Sequence, residues 1–170
     1  MMKSDFLDFQ AQTTPHPLGV EVVSAEGSYI YAKDGTQYLD FVAGVSACGL
    51  GHRHPKVIEA IKNQLDQYMH VMVYGEYIQS PAVEFTKLLA QQLPEPLSQT
   101  YLVNSGTEAI DGAMKLARRA TGRSQIIAAR KCYHGTSYGA LRLMDYEERV
   151  APFIPLVCDI THLHFNTVIR

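Results

Sequence analysis

The sequence predicts an α/β fold in which a small β meander precedes a largely parallel sheet. Three short strand-like segments come first, at residues 21–24, 28–33 and 37–41. Helical and apolar strand-like segments then alternate along the chain, an order that is typical of parallel sheets. At 170 residues, of which 46% are hydrophobic, the chain has the size of one ordinary domain with its own core.

Turn and helix-start signals predict the strands and the helix of the first half of the chain. Asp34-Gly35, between the second and third strands, is a hairpin signal. Residues 1–19 contain prolines and are expected to be irregular. Pro55 suits the first turn of a helix that we expect to end at Met69, because apolar residues recur on one face of this segment. A glycine-bearing loop at 44–54 connects the meander to this helix.

The second half alternates more regularly. Apolar residues at helical spacing after Thr107, followed by Gly122, predict a helix with a glycine stop. The remaining predicted elements are a helix at 81–93, strands at 101–103, 125–129 and 162–165, and a polar loop at 133–139.

The turn Ser105-Gly106-Thr107 lies between the predicted strand and this helix. The first amides of a helix lack partners inside it, and the helix dipole is positive there, so such a turn can hold a phosphate. Ser105 and Glu108 also have the spacing of a capping box, which needs no ligand. The turn alone does not choose between these two interpretations.

A second loop supports the phosphate interpretation. If the strands near 101 and 125 are parallel neighbours, the loops that follow them meet at the edge where such sheets bind ligands. The ring of Tyr133, followed by His134 and Gly135, offers a flat surface on which a planar ring can stack. A phosphate close to a stacked ring fits pyridoxal 5'-phosphate, and it fits a nucleotide equally well.

Several motifs, in this order, resemble the N-terminal part of class III (fold type I) pyridoxal-phosphate-dependent aminotransferases. The resemblance covers about residues 17–145, and its specificity comes from the ordered co-occurrence of individually weak motifs. These motifs are Asp34-Gly35-Thr36-Gln37-Tyr38-Leu39-Asp40, Gly51-His52-Arg53-His54-Pro55, Asn104-Ser105-Gly106-Thr107-Glu108-Ala109 with Lys115-Leu116-Ala117-Arg118, Thr121-Gly122-Arg123, and Tyr133-His134-Gly135 with Gly139-Ala140-Leu141.

The resemblance implies an aminotransferase that passes an amino group from an amino acid or amine donor to a 2-oxo acid, as a homodimer when intact. It implies that Ser105, Gly106 and Thr107 hold the cofactor phosphate, that Tyr133 lies against the pyridine ring, and that His134 lies beside it. In the family's domain scheme, residues 1–45 belong to the small domain. Residues 46–170 then form an incomplete, mostly parallel, cofactor-binding large domain.

The family's catalytic residues have no counterpart in this sequence. Its chemistry needs a lysine that forms a Schiff base with the cofactor, and a carboxylate partner for the pyridine nitrogen. None of the seven lysines lies in a segment that resembles the Schiff-base motif. We therefore assign no catalytic residue, and we expect an N-terminal fragment that is inactive alone. The alternative is a non-catalytic or split subunit that keeps the fold and the phosphate-binding turn.

Two positions bear on the substrate. Family members that act on acetylornithine carry Arg directly after the aromatic-His-Gly triplet, where this sequence has Thr136. Members that act on ornithine tend to have Tyr near the position of Val45. Both differences count against those two substrates, because neither replacement supplies the same polar contact. The amino donor and the acceptor stay unassigned.

Composition excludes other classes of function. Fifteen basic and 17 acidic residues give a net charge of −2 without blocks of like charge, so we expect no nucleic-acid partner. Apolar runs are too short for a membrane span, and three widely spaced cysteines predict a reducing, cytoplasmic compartment. His52 and His54, like His162 and His164, lack matching partners, so we expect no metal.

Overall fold

The computed structural model describes residues 2–72, 74–156 and 159–164. Two compact units divide the chain, the first at residues 1–78 and the second at 79–170. Both contain helices and strands, with an antiparallel sheet in the first unit and a parallel pair in the second. The predicted α/β class with an N-terminal meander is confirmed. The predicted boundary after residue 45 refers to the family's domains and stays a prediction.

The first unit is built on an antiparallel meander. Its strands are β1 (Val22–Glu26), β2 (Tyr29–Ala32) and β3 (Gln37–Leu39), in that spatial order. Gly35 has φ +87°, which the turn between β2 and β3 requires and which glycine adopts without strain. All three predicted strands are confirmed. A helix, α1 (Met2–Phe9), corrects the expectation of an irregular N-terminus, because the prolines that suggested irregularity lie beyond its end.

Side-chain and backbone hydrogen bonds fasten the loop after β3. Asp40 Oδ1 accepts hydrogen bonds from the amides of Val42 and Ala43, both at 2.9 Å, and Asp40 Oδ2 lies 2.7 Å from His52 Nε2. His52 also pairs with Gly27 through two backbone hydrogen bonds of 2.7 and 3.0 Å. The hydrogen bond from His52, followed by the one from Ala43, holds the pKa of Asp40 below its ordinary value. The loop is therefore fixed at both of its ends.

The first unit ends with helix α2 (Pro55–Leu65), which has Pro55 at its start as predicted. It stops four residues before the predicted end at Met69. Its apolar face is only partly covered, because Val57, Ile61 and Leu65 are between 41% and 52% exposed.

The second unit combines helices with a two-stranded parallel sheet. The longer helices are α3 (Ser80–Gln92) and α4 (Gly106–Thr121), and α4 ends at Gly122, whose φ of +69° gives the left-handed cap expected of that glycine. Two short helices among the elements that follow were not predicted. The remaining elements in chain order are β4 (Ile126–Ala129), α5 (Tyr138–Arg142), α6 (Glu147–Val150), a 3₁₀ turn (Ala151–Phe153) and β5 (Ile160–Leu163).

The parallel partner of β4 differs from the predicted one. β4 pairs with β5 in the register Ile126↔Ile160, whereas residues 101–103 form no strand. A strand is defined by its hydrogen-bonded neighbour, and no described residue supplies one for this segment, where Tyr101 is 83% exposed. The strand predicted at 162–165 begins two residues earlier, and Phe165 lies outside the described residues. No helix in the described ranges is long and apolar enough to cross a membrane.

Candidate cofactor-binding site

The site begins at the first turn of α4, where Ser105 is the N-cap as predicted, whereas Glu108 folds back onto the amide of Asn104 and not onto that of Ser105, as the capping box would have it. Ser105 is extended and its Oγ accepts a hydrogen bond of 3.3 Å from the amide of Glu108. Glu108 in turn accepts one of 2.8 Å from the amide of Asn104. These two bonds satisfy the amides of Asn104 and Glu108. Within the described ranges, the amides of Gly106 and Thr107 have no hydrogen-bond partner.

The space in front of these two amides is open. A Cβ built on Gly106 meets no heavy atom within 4 Å. Two unpaired donors at the positive end of a 16-residue helix, next to a residue without a side chain, suit a dianionic group.

The loop at 133–139 packs directly against this turn. Gly135 has φ +122°, and a Cβ on it would lie 2.3 Å from Thr107 Oγ1 and 2.9 Å from Thr107 Cα. The amide of Ser137 donates a 3.0 Å hydrogen bond to Thr107 Oγ1, and the two hydroxyl oxygens are 2.6 Å apart. The predicted meeting of the two loops therefore occurs, although the strand pairing expected to cause it does not.

A second contact fastens the same loop further along α4. Asp111 Oδ1 accepts a 2.9 Å hydrogen bond from the amide of Ala140, which is fully buried. Gly139 passes so close that a Cβ there would lie 2.3 Å from Asp111 Oδ1. Because Asp111 and Thr107 are one helical turn apart, α4 holds the loop at two successive positions on one face.

Tyr133 and His134 begin this loop. The Tyr133 ring is 60% exposed, and the guanidinium of Arg149 lies 5.9 Å from its centroid, within the range of a cation–π contact. The same guanidinium lies 5.9 Å from the ring of Tyr146. His134 Nε2 is buried and has no hydrogen-bond partner among the residues that the structure describes. Such an atom calls for a partner, which a bound ligand can provide.

The structure brings the five predicted site residues into one unit and adds two that the sequence did not reveal. Ser137 and Asp111 connect the loop to α4, and neither belongs to a phosphate-binding pattern. The sequence carried no signal for either residue, because the short helix α5 that makes Ser137 an N-cap was not itself predictable.

Three of the four histidines considered for a metal have other partners, whereas Nδ1 of the fourth, His54, is buried without a hydrogen-bond partner among the described residues. His162 Nε2 donates to the carbonyl of Leu143 at 3.0 Å, and His164 Nε2 accepts from Arg130 at 3.1 Å. His52 Nε2 is bound to Asp40. Over the described ranges, no group of three or more His, Cys, Asp or Glu side chains is placed to hold a metal ion.

In this α/β unit, the N-terminus of α4 and the aromatic loop packed against it have the arrangement that the sequence predicts for a phosphate beside a planar ring. Residues 9–170 match the family model described as aminotransferase class-III. The chain therefore belongs to the class III aminotransferases, which confirms the resemblance seen in the sequence.

Curated relatives and solved structures agree with this membership. The chain is similar to the acetylornithine aminotransferase of Methanopyrus kandleri, with 35% identity over 96% of this chain and 42% of the relative. It is also similar to the acetylornithine aminotransferase of Streptomyces coelicolor, with 38% identity over 85% of this chain and 35% of the relative. Its fold resembles an (S)-enantioselective omega-transaminase from Thermomicrobium roseum, with a TM-score of 0.86 at 25% identity over 95% of this chain and 38% of that one. The chain thus spans about two fifths of the length of the proteins it matches.

Proposed function

We propose that this chain carries the phosphate-binding part of a pyridoxal-phosphate-dependent aminotransferase, which passes an amino group from an amino acid or amine to a 2-oxo acid. Bound pyridoxal 5'-phosphate supplies the electron sink that this chemistry needs. The observation that carries the proposal is the pair of amides at Gly106 and Thr107, at the start of α4, which have no hydrogen-bond partner among the described residues of a chain of this family.

The residues at the site fit such a cofactor. Gly106 and Thr107 donate their amides to the phosphate, and the hydroxyl of Ser105, at the N-cap, adds a third polar group. Tyr133 presents its exposed ring to the pyridine. His134 contributes a buried ring nitrogen that still needs a hydrogen-bond partner. Together these side chains bind and orient the cofactor without reacting with it.

No residue of this sequence matches the residues that carry out catalysis in the family. The lysines are Lys3, Lys33, Lys56, Lys62, Lys87, Lys115 and Lys131, and none lies in a segment resembling the family's catalytic lysine motif. We therefore expect the 170-residue chain by itself to bind the cofactor without turnover. The complete protein is proposed to act as a cytoplasmic homodimer. The half-exposed apolar residues of α2 support further packing partners.

The amino donor is proposed to differ from acetylornithine, although relatives named for that substrate are 34–38% identical. Thr136 stands where such enzymes carry an arginine, and a hydroxyl cannot form the bidentate ion pair that a guanidinium makes with a carboxylate. High activity of the complete protein on acetylornithine would show that this interpretation of Thr136 is wrong.

The phosphate site is tested by comparing two ligands that differ only in the phosphate. Pyridoxine 5'-phosphate and pyridoxine carry a hydroxymethyl group in place of the aldehyde, so neither reacts with the seven lysines. We expect the chain to bind the phosphorylated ligand more tightly by about 10- to 100-fold, because hydrogen bonds to a charged group contribute about 1.5–3 kcal/mol. Titration calorimetry measures both affinities.

Gly106→Ala gives the matched test of the location. Among the described residues outside the adjoining helix backbone, a Cβ at Gly106 meets no atom within 4 Å, so we expect the variant to fold and its methyl group to add bulk beside the two amides. We expect the preference for the phosphorylated ligand to fall at least about tenfold, the equivalent of 1.4 kcal/mol. Gly122→Ala, at the other end of α4 and equally free of contacts, is the control. Equal binding of the two ligands by the unmodified chain would overturn the proposal.

A further inference from the structure

We propose that Ser137 is a positioning residue that makes the hydroxyl of Thr107 a hydrogen-bond donor toward the bound phosphate. The inference rests on the proposed function and deepens it. It starts from the 2.6 Å contact between the two hydroxyl oxygens and the 3.0 Å hydrogen bond from the amide of Ser137 to Thr107 Oγ1.

The donors and acceptors at this contact can be counted. A hydroxyl has one proton to donate and two lone pairs to accept with. The amide of Ser137 has only a proton to give, so it occupies one lone pair of Thr107 Oγ1. When the Ser137 hydroxyl donates as well, both lone pairs of Thr107 are filled and its own proton must point elsewhere. In the opposite arrangement Thr107 donates to Ser137, and the spare proton belongs to Ser137.

A phosphate selects between these two arrangements. Thr107 is the second residue of α4, next to Gly106, and its amide has no hydrogen-bond partner in the part of the chain that the structure describes. A phosphate oxygen accepts hydrogen bonds and has no proton to give when ionised, so it favours the arrangement in which the Thr107 proton points to it. The Ser137 hydroxyl then supplies the internal bond that keeps Thr107 in this orientation.

The way α5 is capped leaves Ser137 free for this role. Ser137 is the N-cap of α5, where a serine hydroxyl normally accepts from the amide two or three residues on. Here the side chain makes no such bond, and the amide of Ala140, three residues on, is bound by Asp111 instead. Asp111 thus takes over the cap, which allows the Ser137 hydroxyl to turn toward Thr107. If Ser137 served only to cap α5, its own hydroxyl would bind the amide of Ala140, and Asp111 would not be needed there.

The position of Ser137 is also fixed by its neighbours. Gly135 lies against Thr107 with no room for a side chain, and Gly139 lies against Asp111 in the same way. These contacts before and after Ser137 hold its backbone at hydrogen-bonding distance from α4. Ser137 therefore acts on the phosphate through Thr107, and it is not proposed to touch the cofactor.

The test measures phosphate preference, defined as the affinity of the chain for pyridoxine 5'-phosphate divided by that for pyridoxine. We expect Ser137→Ala to lower this preference about 3- to 10-fold, the effect of one neutral hydrogen bond. Thr107→Val should lower it about 10- to 100-fold, because a bond to a charged group is lost. The double variant should be no worse than Thr107→Val, since Ser137 works only through that hydroxyl.

Controls separate positioning from general damage. Ser137→Thr keeps the hydroxyl and should restore the preference, whereas Ser124→Ala, on an exposed residue of the same unit, should leave it unchanged. Affinity for pyridoxine should not change in any of these variants. If Ser137→Ala fails to fold, Ser137→Cys, which is nearly isosteric and a weaker donor, replaces it and should give a smaller loss.

The outcomes distinguish this inference from the proposed function. An unmodified chain without phosphate preference would overturn both. An unmodified chain with the preference, but with Ser137→Ala at the same value, would overturn the role of Ser137 alone. Additive losses in the double variant would also contradict it, because they would show that Ser137 acts independently of Thr107.

Discussion

Gly135 is the position where the packing of the aromatic loop on α4 is most sensitive to a single methyl group. In Gly135→Ala the new Cβ would start 2.3 Å from Thr107 Oγ1 and 2.4 Å from Thr107 Cβ. Carbon atoms in favourable contact are about 3.5–4.0 Å apart, so the loop must move away by about 1 Å or more. That movement stretches the two hydrogen bonds between Ser137 and Thr107 beyond the limit of about 3.5 Å.

The expected cost of Gly135→Ala combines backbone strain and lost contacts. An alanine at φ +122° costs about 1–3 kcal/mol. Two broken neutral hydrogen bonds add about 1–2 kcal/mol. We therefore expect the free energy of unfolding to fall by about 2–5 kcal/mol, with loss of the preference for pyridoxine 5'-phosphate over pyridoxine. Urea denaturation and titration calorimetry measure the two effects.

Gly122→Ala is the matched control for this experiment. Gly122 also has a positive φ, of +69°, but a Cβ there meets nothing within 4 Å. The control therefore carries backbone strain of about 1–2 kcal/mol without any clash. If Gly135→Ala were no more destabilising than Gly122→Ala, and kept the phosphate preference, the close packing of Gly135 on Thr107 would be refuted.

Two further changes test the contacts around the site and the loop after β3. Asp111→Ala leaves the buried amide of Ala140 without an acceptor and should lower the free energy of unfolding by about 1–3 kcal/mol. Asp111→Asn keeps an oxygen at this position and should lower it less. Equal losses for the two variants in urea denaturation would argue against this hydrogen bond. Hydrogen bonding lowers the pKa of Asp40 in the folded state. The ionised Asp40 carboxylate therefore stabilises the fold fully above the pKa of about 3.9 that it has in the unfolded chain, and this stabilisation is lost as the pH falls through the lower pKa of the folded state. His52→Ala removes the main cause of that shift, so unfolding midpoints measured between about pH 2 and 6 should depend less steeply on pH than in the unmodified chain; an unchanged slope would contradict the Asp40–His52 bond.

Local signals predicted most of the fold because they depend on neighbouring residues. Asp34-Gly35 predicted the hairpin, Pro55 the start of α2, and Gly122 the end of α4, and each of these was confirmed. The strand at 101–103 was wrong because an apolar run forms a strand only beside a suitable neighbour. The short helices α5 and α6 were missed because five and four residues are too few to show a helical period.

The site could be predicted only in part for the same physical reason. The turn at Ser105-Gly106-Thr107 has a local pattern, and the amides of Gly106 and Thr107 have no hydrogen-bond partner within the described ranges. Ser137 and Asp111 contact residues 29 or 30 positions away in sequence. No spacing rule covers such contacts, because they depend on how the loop after β4 packs on α4.

The capping box and the phosphate site, which compete as explanations of the sequence, are compatible in the structure. A helix start has several unpaired amides, and here the cap uses the amide of Glu108 while Glu108 satisfies that of Asn104. The amides of Gly106 and Thr107 lie between these two bonds and stay free of them. Fixing these two outer amides orients the three between them, those of Ser105, Gly106 and Thr107, without occupying them. A cap of this kind therefore prepares the turn to bind an anion, so its presence supports the phosphate site.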